Sequence, residues 1–403
     1  MDLEPALPHH VPSDRVFDFD IYARESSVSN PLEFTKFLDE QKAPEIFYTQ
    51  RNGGHWVFRR YDHVGAGYGD SDLFSTEKVN IPPLADMPLL LPQAIDPPKH
   101  QRYRRLLNPL FSPAAISKLQ GWVRGITSAL LDEIAPTGSC DFVEDFAAKL
   151  PTTVFLKLMG LPLGDLPQFL IWEHAQFRGP PQERPANYAA IVGYLTKFLQ
   201  EKQKNPTDDI GSFLVTARDS DGELFKFDEV LSMSLLLFIA GLDTVTNTMS
   251  SIWLQLADDS NLRKQLIDRP QTRARDLDEL LRLHSRANLV RGTKEDVEFH
   301  GVSLMKGDRV LLLTHRANRD AEHYHDPLDT LLERRPNDIL TFGWGAHRCV
   351  GSLLARSEIE ISLDEWFRRI PDFRMPPGAR LAGFAGLVMG VSSLPLEWPT
   401  AAA

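Results

Sequence analysis

Apolar residues recur at helical spacing through most of the chain. Lys99–Phe111, Pro113–Ala135, Asp141–Gly160, Pro185–Lys204 and Phe227–Asp259 each place them three or four positions apart among polar ones, which predicts helices with one buried face. Pro136-Thr137-Gly138, Gly179-Pro180-Pro181 and Asn205-Pro206 separate these runs. In the longest run, Leu235–Leu242 is apolar on every side and predicts a helix buried all round. Asp243-Thr244 then interrupts it. An acid and a hydroxyl there must be hydrogen-bonded, and Thr244 can bond back to the Ala240 carbonyl and bend the helix.

Elsewhere the pattern changes. His55–Phe58 has strand character after an Asn52-Gly53-Gly54 turn, and Val297–Val302 and Asp308–Leu313 read as short strands. The first forty-odd residues predict a loose arm leading to a short helix, and the tail after Pro371 reads as strand and turn. Ile81–Pro98 is rich in proline and leucine, so it forms no regular element and predicts a loop packed over a cavity. Repeats and low-complexity linkers are absent. The expectation is a single domain over residues 1–403, mainly α with a minor β portion.

Composition narrows the class. A net charge of −11 and a pI near 5.6 argue against nucleic acid or an anionic membrane as partner. Two cysteines make no disulfide framework and fit a reducing compartment. The N-terminus lacks the basic and apolar regions of a signal peptide, and Leu235–Leu242 falls short of the ~20 residues that span a bilayer. A cytoplasmic location is expected.

Candidate chemistry centres on Phe342-Gly343-Trp344-Gly345-Ala346-His347-Arg348-Cys349-Val350-Gly351. Its glycines permit a tight, flat loop, and Cys349 falls just before a predicted helix, whose N-terminal N–H groups stabilise a thiolate. Such a thiolate suits a metal, although an isolated cysteine is more often a small apolar core residue. Glu279 and Arg282 lie one helical turn apart, as do His100 and Arg104. With Arg291 and His347, the latter two could hold two carboxylates of one ligand. His323-Tyr324-His325 sits in a polar loop and reads as surface rather than as metal ligands.

Taken in order, His100 to Arg104, Ala240-Gly241-Leu242-Asp243-Thr244, Glu279-Leu280-Leu281-Arg282 and the Cys349 loop resemble a cytochrome P-450 over nearly the whole chain. His10–Asp20, Asn52–Trp56, Gly241–Val245 and Arg369–Phe373 are similar to the bacterial camphor hydroxylase family. The resemblance implies the P-450 fold, with a long central helix over the haem, and haem b ligated by Cys349. It implies that His100, Arg104, Arg291 and His347 hold the propionates, with Phe342, Gly343 and Gly351 shaping the cofactor loop. Glu279, Arg282 and Arg334 become a structural network. Asp243 and Thr244 pass protons to the oxygen site, and Arg178 pairs with Asp243 to gate them.

The chain also departs from the camphor pattern. A tyrosine that bonds the ketone is missing, its place falling at Met87 or Pro88, and Leu289 replaces a propionate-side aspartate. A site without that hydrogen bond is apolar and permissive. The expected substrate is a small terpenoid or ionone-like norisoprenoid, hydroxylated at an unactivated C–H bond. It would meet Met87, Leu90, Gln93, Phe177, Leu236, Ile239, Ala240, Ala287, Leu387 and Val388. With no flavin or dinucleotide motif in the chain, the implied electron source is a two-iron, two-sulfur ferredoxin with an NADH-dependent reductase. Lys99, Arg102, Arg105, Arg335 and Arg348 are candidates for docking it. A peroxide-driven peroxygenase and a non-catalytic haem sensor are the alternatives.

Overall fold

The computed structural model describes residues 6–23, 35–77, 79–83, 89–335 and 337–400. Its principal helices are α1 (Tyr61–Gly69), α2 (His100–Leu107), α3 (Pro113–Ile134), α4 (Lys149–Met159), α5 (Leu166–Phe177), α6 (Arg184–Lys204), α7 (Phe227–Gly241), α8 (Asp243–Asp258), α9 (Arg273–Leu283) and α10 (Ser352–Arg369). A five-stranded sheet contains β1 (Ile46–Thr49), β2 (His55–Phe58), β3 (Phe74–Ser75), β4 (Leu289–Thr293) and β5 (Arg309–Leu312). The chain forms two compact units, interleaved along the sequence: residues 1–100, 278–349 and 383–389, and residues 101–277, 350–382 and 390–403.

The first unit is built on the sheet, in the order β1-β2-β5-β4-β3. Among the described strand pairs of this sheet, β2 and β5 alone run parallel, with Trp56 opposite Val310. Side chains alternate across the sheet. Trp56, Phe58, Val310 and Leu312 enter one core with Phe74 and Tyr68, while Phe47, Val57 and Leu311 enter another with Phe19 and Leu38. A sheet covered on both faces carries no polar alternation. For that reason β1, Ile-Phe-Tyr-Thr and buried throughout, is not legible as a strand in the sequence.

The second unit is helical. Ser112 caps α3, its Oγ accepting the Ala115 N–H at 3.3 Å, and Pro113 follows at the first helical position. Ile116, Val123, Thr127, Leu131 and Ile134 are the buried stripe. The expected helix over Asp141–Gly160 is instead a short strand, Ser139–Asp141, a π-helical turn, Val143–Ala147, and then α4. Helix α5 was not anticipated, because its periodicity is diluted by half-exposed residues.

The long apolar run also differs from expectation. It is two helices meeting at Leu242, where ψ is −69°. Nor is it buried on every side: Leu236, Leu237 and Ile239 are half-buried, and Ala240 and Gly241 are exposed. By length and composition Phe227–Asp258 could cross a membrane, but 56% of its apolar window is buried within the protein. Helix α8 carries hydroxyls that bond back four residues: Thr244 to Ala240, Thr248 to Thr244, Ser250 to Thr246 and Ser251 to Asn247, at 2.7–2.9 Å.

Candidate active site

In the first unit, the cysteine loop lies against the C-terminal end of α1. Gly343 and Gly345 have φ of +67° and +70°. A Cβ on Gly345 would stand 3.1 Å from both the Gly69 Cα and the Tyr68 carbonyl oxygen, so the close approach as well as the dihedral requires glycine. The Cys349 N–H donates to the Phe342 carbonyl at 2.8 Å, which closes the loop on itself. Cys349 is exposed at its end, Phe342 is half-buried, and Gly351 is the N-cap of α10. The second cysteine, Cys140, is half-buried, and burial raises its thiol well above the ordinary range.

Three of the four residues expected to hold carboxylates belong to this unit. The His100 and His347 rings are 4.2 Å apart, and His347 Nε2 is 3.5 Å from Thr76 Oγ1. Arg291, on β4, is buried, with its guanidinium 5.4 Å from the Tyr68 ring centre. Its Nη1 donates to the Val290 carbonyl at 3.0 Å, while Nη2 has no acceptor among the described residues. Burial lowers its pKa, with Tyr68 and Asp96 opposing. A buried guanidinium nitrogen lacking an acceptor is costly, and a ligand carboxylate is the complement it fits. Arg104, the fourth, belongs to the helical unit and is half-buried. An exposed cysteine and a buried arginine nitrogen without an acceptor among the described residues fit a cofactor that carries both a metal and acidic side groups.

Glu279, Arg282 and Arg334 meet in the same unit. Arg282 donates to both Glu279 oxygens at 2.8 Å, and Arg334 Nε donates to Oε1 at 3.0 Å. Burial pushes Glu279 up, but Arg282, the Leu331 N–H and Arg334 outweigh it and hold the carboxyl below its ordinary range. Arg282 also reaches the Asn318 and Pro327 carbonyls at 2.7 Å, tying α9 to the segment before the cysteine loop.

Among the expected substrate residues, Ala287 bridges to Val388, and the Asn288 N–H donates to the Leu387 carbonyl at 2.7 Å. Leu90 is half-buried and Gln93 exposed; Met87 lies outside the described residues. Leu289, half-buried, pairs with Leu312 in the sheet. His323 stacks on Tyr61 at 3.4 Å and His325 is exposed. No cluster of three or more His, Cys, Asp or Glu residues able to hold a metal ion occurs among the described residues.

The second unit holds the acid and the hydroxyl. Asp243 opens α8, 1% exposed, and Arg178 Nη2 donates to its Oδ1 at 2.9 Å. Burial raises the Asp243 pKa, with Arg178 and Asn247 opposing. Its Oδ2 has no partner among the described residues. Thr244 sits on the uncovered face with Ala240, its hydroxyl donating to the Ala240 carbonyl at 2.9 Å. Phe177 is half-buried at the end of α5. Sequence reasoning missed Glu173, a buried acid near Asp243. The available signal was a lone acid four residues after Phe169, on the apolar stripe of α5.

The proposed docking cations are not equivalent. Lys99, Arg105, Arg335 and Arg348 are exposed. Arg102 is instead committed to Asp219 at 2.8 Å and Glu229 at 2.7 Å, so its charge is neutralised locally.

A family model described as Cytochrome P450 matches residues 275–374. The chain is 31% identical to a probable cytochrome P450 127A1 of Sinorhizobium fredii, over 97% of both chains. It is 30% identical to a vitamin D(3) 25-hydroxylase of Pseudonocardia autotrophica, over 86% of this chain and 88% of that one. Solved structures of CYP101J2 and cytochrome P450 CYP101C1 match with TM-scores of 0.88 and 0.89, each at 31% identity and covering 98% of this chain and 100% of the other.

Proposed function

The chain belongs to the cytochrome P450 family, monooxygenases that carry a thiolate-ligated haem b, and from that premise we propose that it hydroxylates an unactivated C–H bond of a compact terpenoid or norisoprenoid. The observation that carries the substrate class is the apolar character of the candidate contacts. Ala287, Leu387 and Val388 in one unit and Leu236, Ile239 and Ala240 in the other offer no charge and no side-chain hydrogen-bond donor. Apolar side chains of this kind orient a ligand by shape, with Gln93 the one polar side chain among the candidates. Likeness to a protein named as a vitamin D(3) 25-hydroxylase supports hydroxylation as the reaction.

In this reading Cys349 supplies the thiolate, and His100, Arg104, Arg291 and His347 hold the propionates. The haem, once bound, supplies dioxygen activation, and thiolate ligation favours O–O cleavage. The protein's own residues manage protons and position. Thr244 presents its hydroxyl from the bend at Leu242. Asp243 behind it carries a proton to and from Oδ2 while Arg178 holds Oδ1, so release of Arg178 frees the carboxylate to turn. The Glu279 network fixes the segment that leads into the cysteine loop.

Electrons come, in this proposal, from a two-iron, two-sulfur ferredoxin and its NADH-dependent reductase in the cytoplasm. Lys99, Arg105, Arg335 and Arg348 are the docking charges, and Arg102 is excluded by its ion pairs. The test titrates the ferric holoprotein with a panel of terpenoids and norisoprenoids and watches the low-to-high spin shift. Saturable shifts are expected with compact cyclic members, followed by product formation with ferredoxin and reductase. If only charged or long-chain ligands shift the spectrum, or if peroxide alone supports full turnover, the reading is wrong.

A further inference from the structure

Within the helical unit, one buried acid lies among hydroxyls that also reach backbone carbonyls. Glu173, on α5, is 1% exposed. Its Oε2 is 3.1 Å from Thr152 Oγ1, but the single proton of that hydroxyl is already donated to the Ala148 carbonyl at 2.7 Å. Its Oε1 is 3.5 Å from Thr246 Oγ1, whose proton has nearer acceptors in the Ala147 and Leu242 carbonyls, both at 3.1 Å. A hydroxyl has one proton to give. An ionised Glu173 would therefore sit among committed hydroxyls with no proper donor, whereas a protonated one donates its own O–H to Thr152 Oγ1 and satisfies the site.

We propose that Glu173 is held as a neutral carboxylic acid behind Asp243 and serves as a second acid of the proton supply, a positioning residue that acts through Asp243. This rests on the reading of Asp243 and Thr244 as the proton route. The charged groups that bear on Glu173 are Asp243 on α8, which disfavours its ionisation, and Arg178 after α5, which favours it. Two interacting carboxylates in a dry site, with Arg178 bonded to Asp243 alone of the two, do not both ionise readily, so the pair retains one proton. Glu173 passes that proton to the ionised Asp243 carboxylate, which hands it on toward Thr244. Glu173 is then the carboxylate, and a proton from solvent restores it. Charge and proton count are conserved throughout.

Burial, with Asp243 adding to it, moves the Glu173 pKa from an ordinary 4.5 up to about 7. The folded state then binds more protons than the unfolded state between those values. The contribution of Glu173 to stability consequently falls as pH rises from about 4.5 to about 7 and levels off above.

The experiment compares the wild-type ferric holoprotein with Glu173→Gln and Asp243→Asn. Infrared difference spectra, wild type minus Glu173→Gln, should show a protonated carboxyl C=O band at pH 6 that fades through about pH 7. Glu358, also buried and pushed up to about 8 by burial, contributes to both proteins and cancels. Glu173→Gln keeps the shape and can still donate to Thr152. Its stability should fall less steeply than that of the wild type between pH 4.5 and 7, and its product yield per NADH should lose the wild-type fall above about pH 7. Absence of the difference band, or unchanged pH profiles in Glu173→Gln, overturns the proposal. Failure of the underlying route is seen separately: Asp243→Asn would leave product yield unchanged while the Glu173 band persisted.

Discussion

Arg291 places a guanidinium where water does not reach, and one terminal nitrogen has no acceptor among the described residues. A charge-assisted hydrogen bond to a ligand carboxylate is worth about 1.5–3 kcal/mol, on the order of a 10- to 100-fold change in affinity. Arg291→Leu should therefore release haem faster by roughly that factor, measured by transfer to excess apomyoglobin, while the fold survives because the replacement is apolar. An unchanged transfer rate would remove Arg291 from the cofactor's contacts. The same scale of argument applies to Arg178 and Asp243, whose side chains are 8% and 1% exposed. A pair so enclosed fixes geometry more than it adds stability, since desolvation offsets much of its attraction. Arg291 and Asp243 are legible in the sequence only through the company of other motifs. Glu173 is not legible, because its meaning depends on which hydroxyls from α4 and α8 are already committed.

Among the elements, the cysteine loop and α1 set each other's spacing. Gly345 combines a φ of +70° with a 3.1 Å approach to the backbone at Tyr68 and Gly69. Gly345→Ala should cost about 1–2 kcal/mol from the left-handed conformation alone, and the contact with α1 must also open. The expected result is a protein that folds but holds haem weakly, seen as a reduced Soret-to-protein absorbance ratio. A full ratio would show that the loop tolerates displacement. The bend between α7 and α8 was readable from Gly241, Asp243 and Thr244. The open face beside it was not, since a uniformly apolar run gives no indication of which side lacks a protein neighbour. The β1 strand and the π-helical turn at Val143 were likewise hidden, because full burial erases period-two patterning and a π turn has no sequence signature.

At the scale of the whole molecule, a net charge of −11 conceals a cationic interior in the sheet-based unit. Arg286 is 1% exposed, and its Nε and Nη1 have no acceptor among the described residues; only Nη2 has a partner, His284 Nδ1 at 3.3 Å. Arg319 donates to His315 Nε2 at 2.6 Å, while His315 Nδ1 donates to the Ser285 carbonyl at 3.2 Å. Both histidines thus act as neutral acceptors, in keeping with pKa values held well below the ordinary value by burial and the neighbouring arginines. Burial alone draws Arg286 down to about 9. Replacing even a buried ion pair by apolar side chains of similar volume is neutral or stabilising by ~1–4 kcal/mol, and a lone buried charge lacks the attraction that offsets its desolvation. Arg286→Met should accordingly raise the denaturation midpoint of the holoprotein without altering its spectrum. A lowered midpoint would mean that Arg286 has a partner that satisfies it.

The sequence by itself determined the family, the haem-thiolate chemistry and the helical character. Each is carried by residues whose identity and spacing are chemically restrictive: a cysteine after a glycine loop, an acid and a threonine in an apolar helix, a glutamate and an arginine one turn apart. Only the tertiary structure decided which of the basic residues are already paired, which face of α7 lacks a protein neighbour, and where an acid is surrounded by committed hydroxyls. Those properties depend on distances between residues far apart in the chain. Burial and hydrogen-bond supply, rather than residue type, then decide which groups are ionised and which await a ligand.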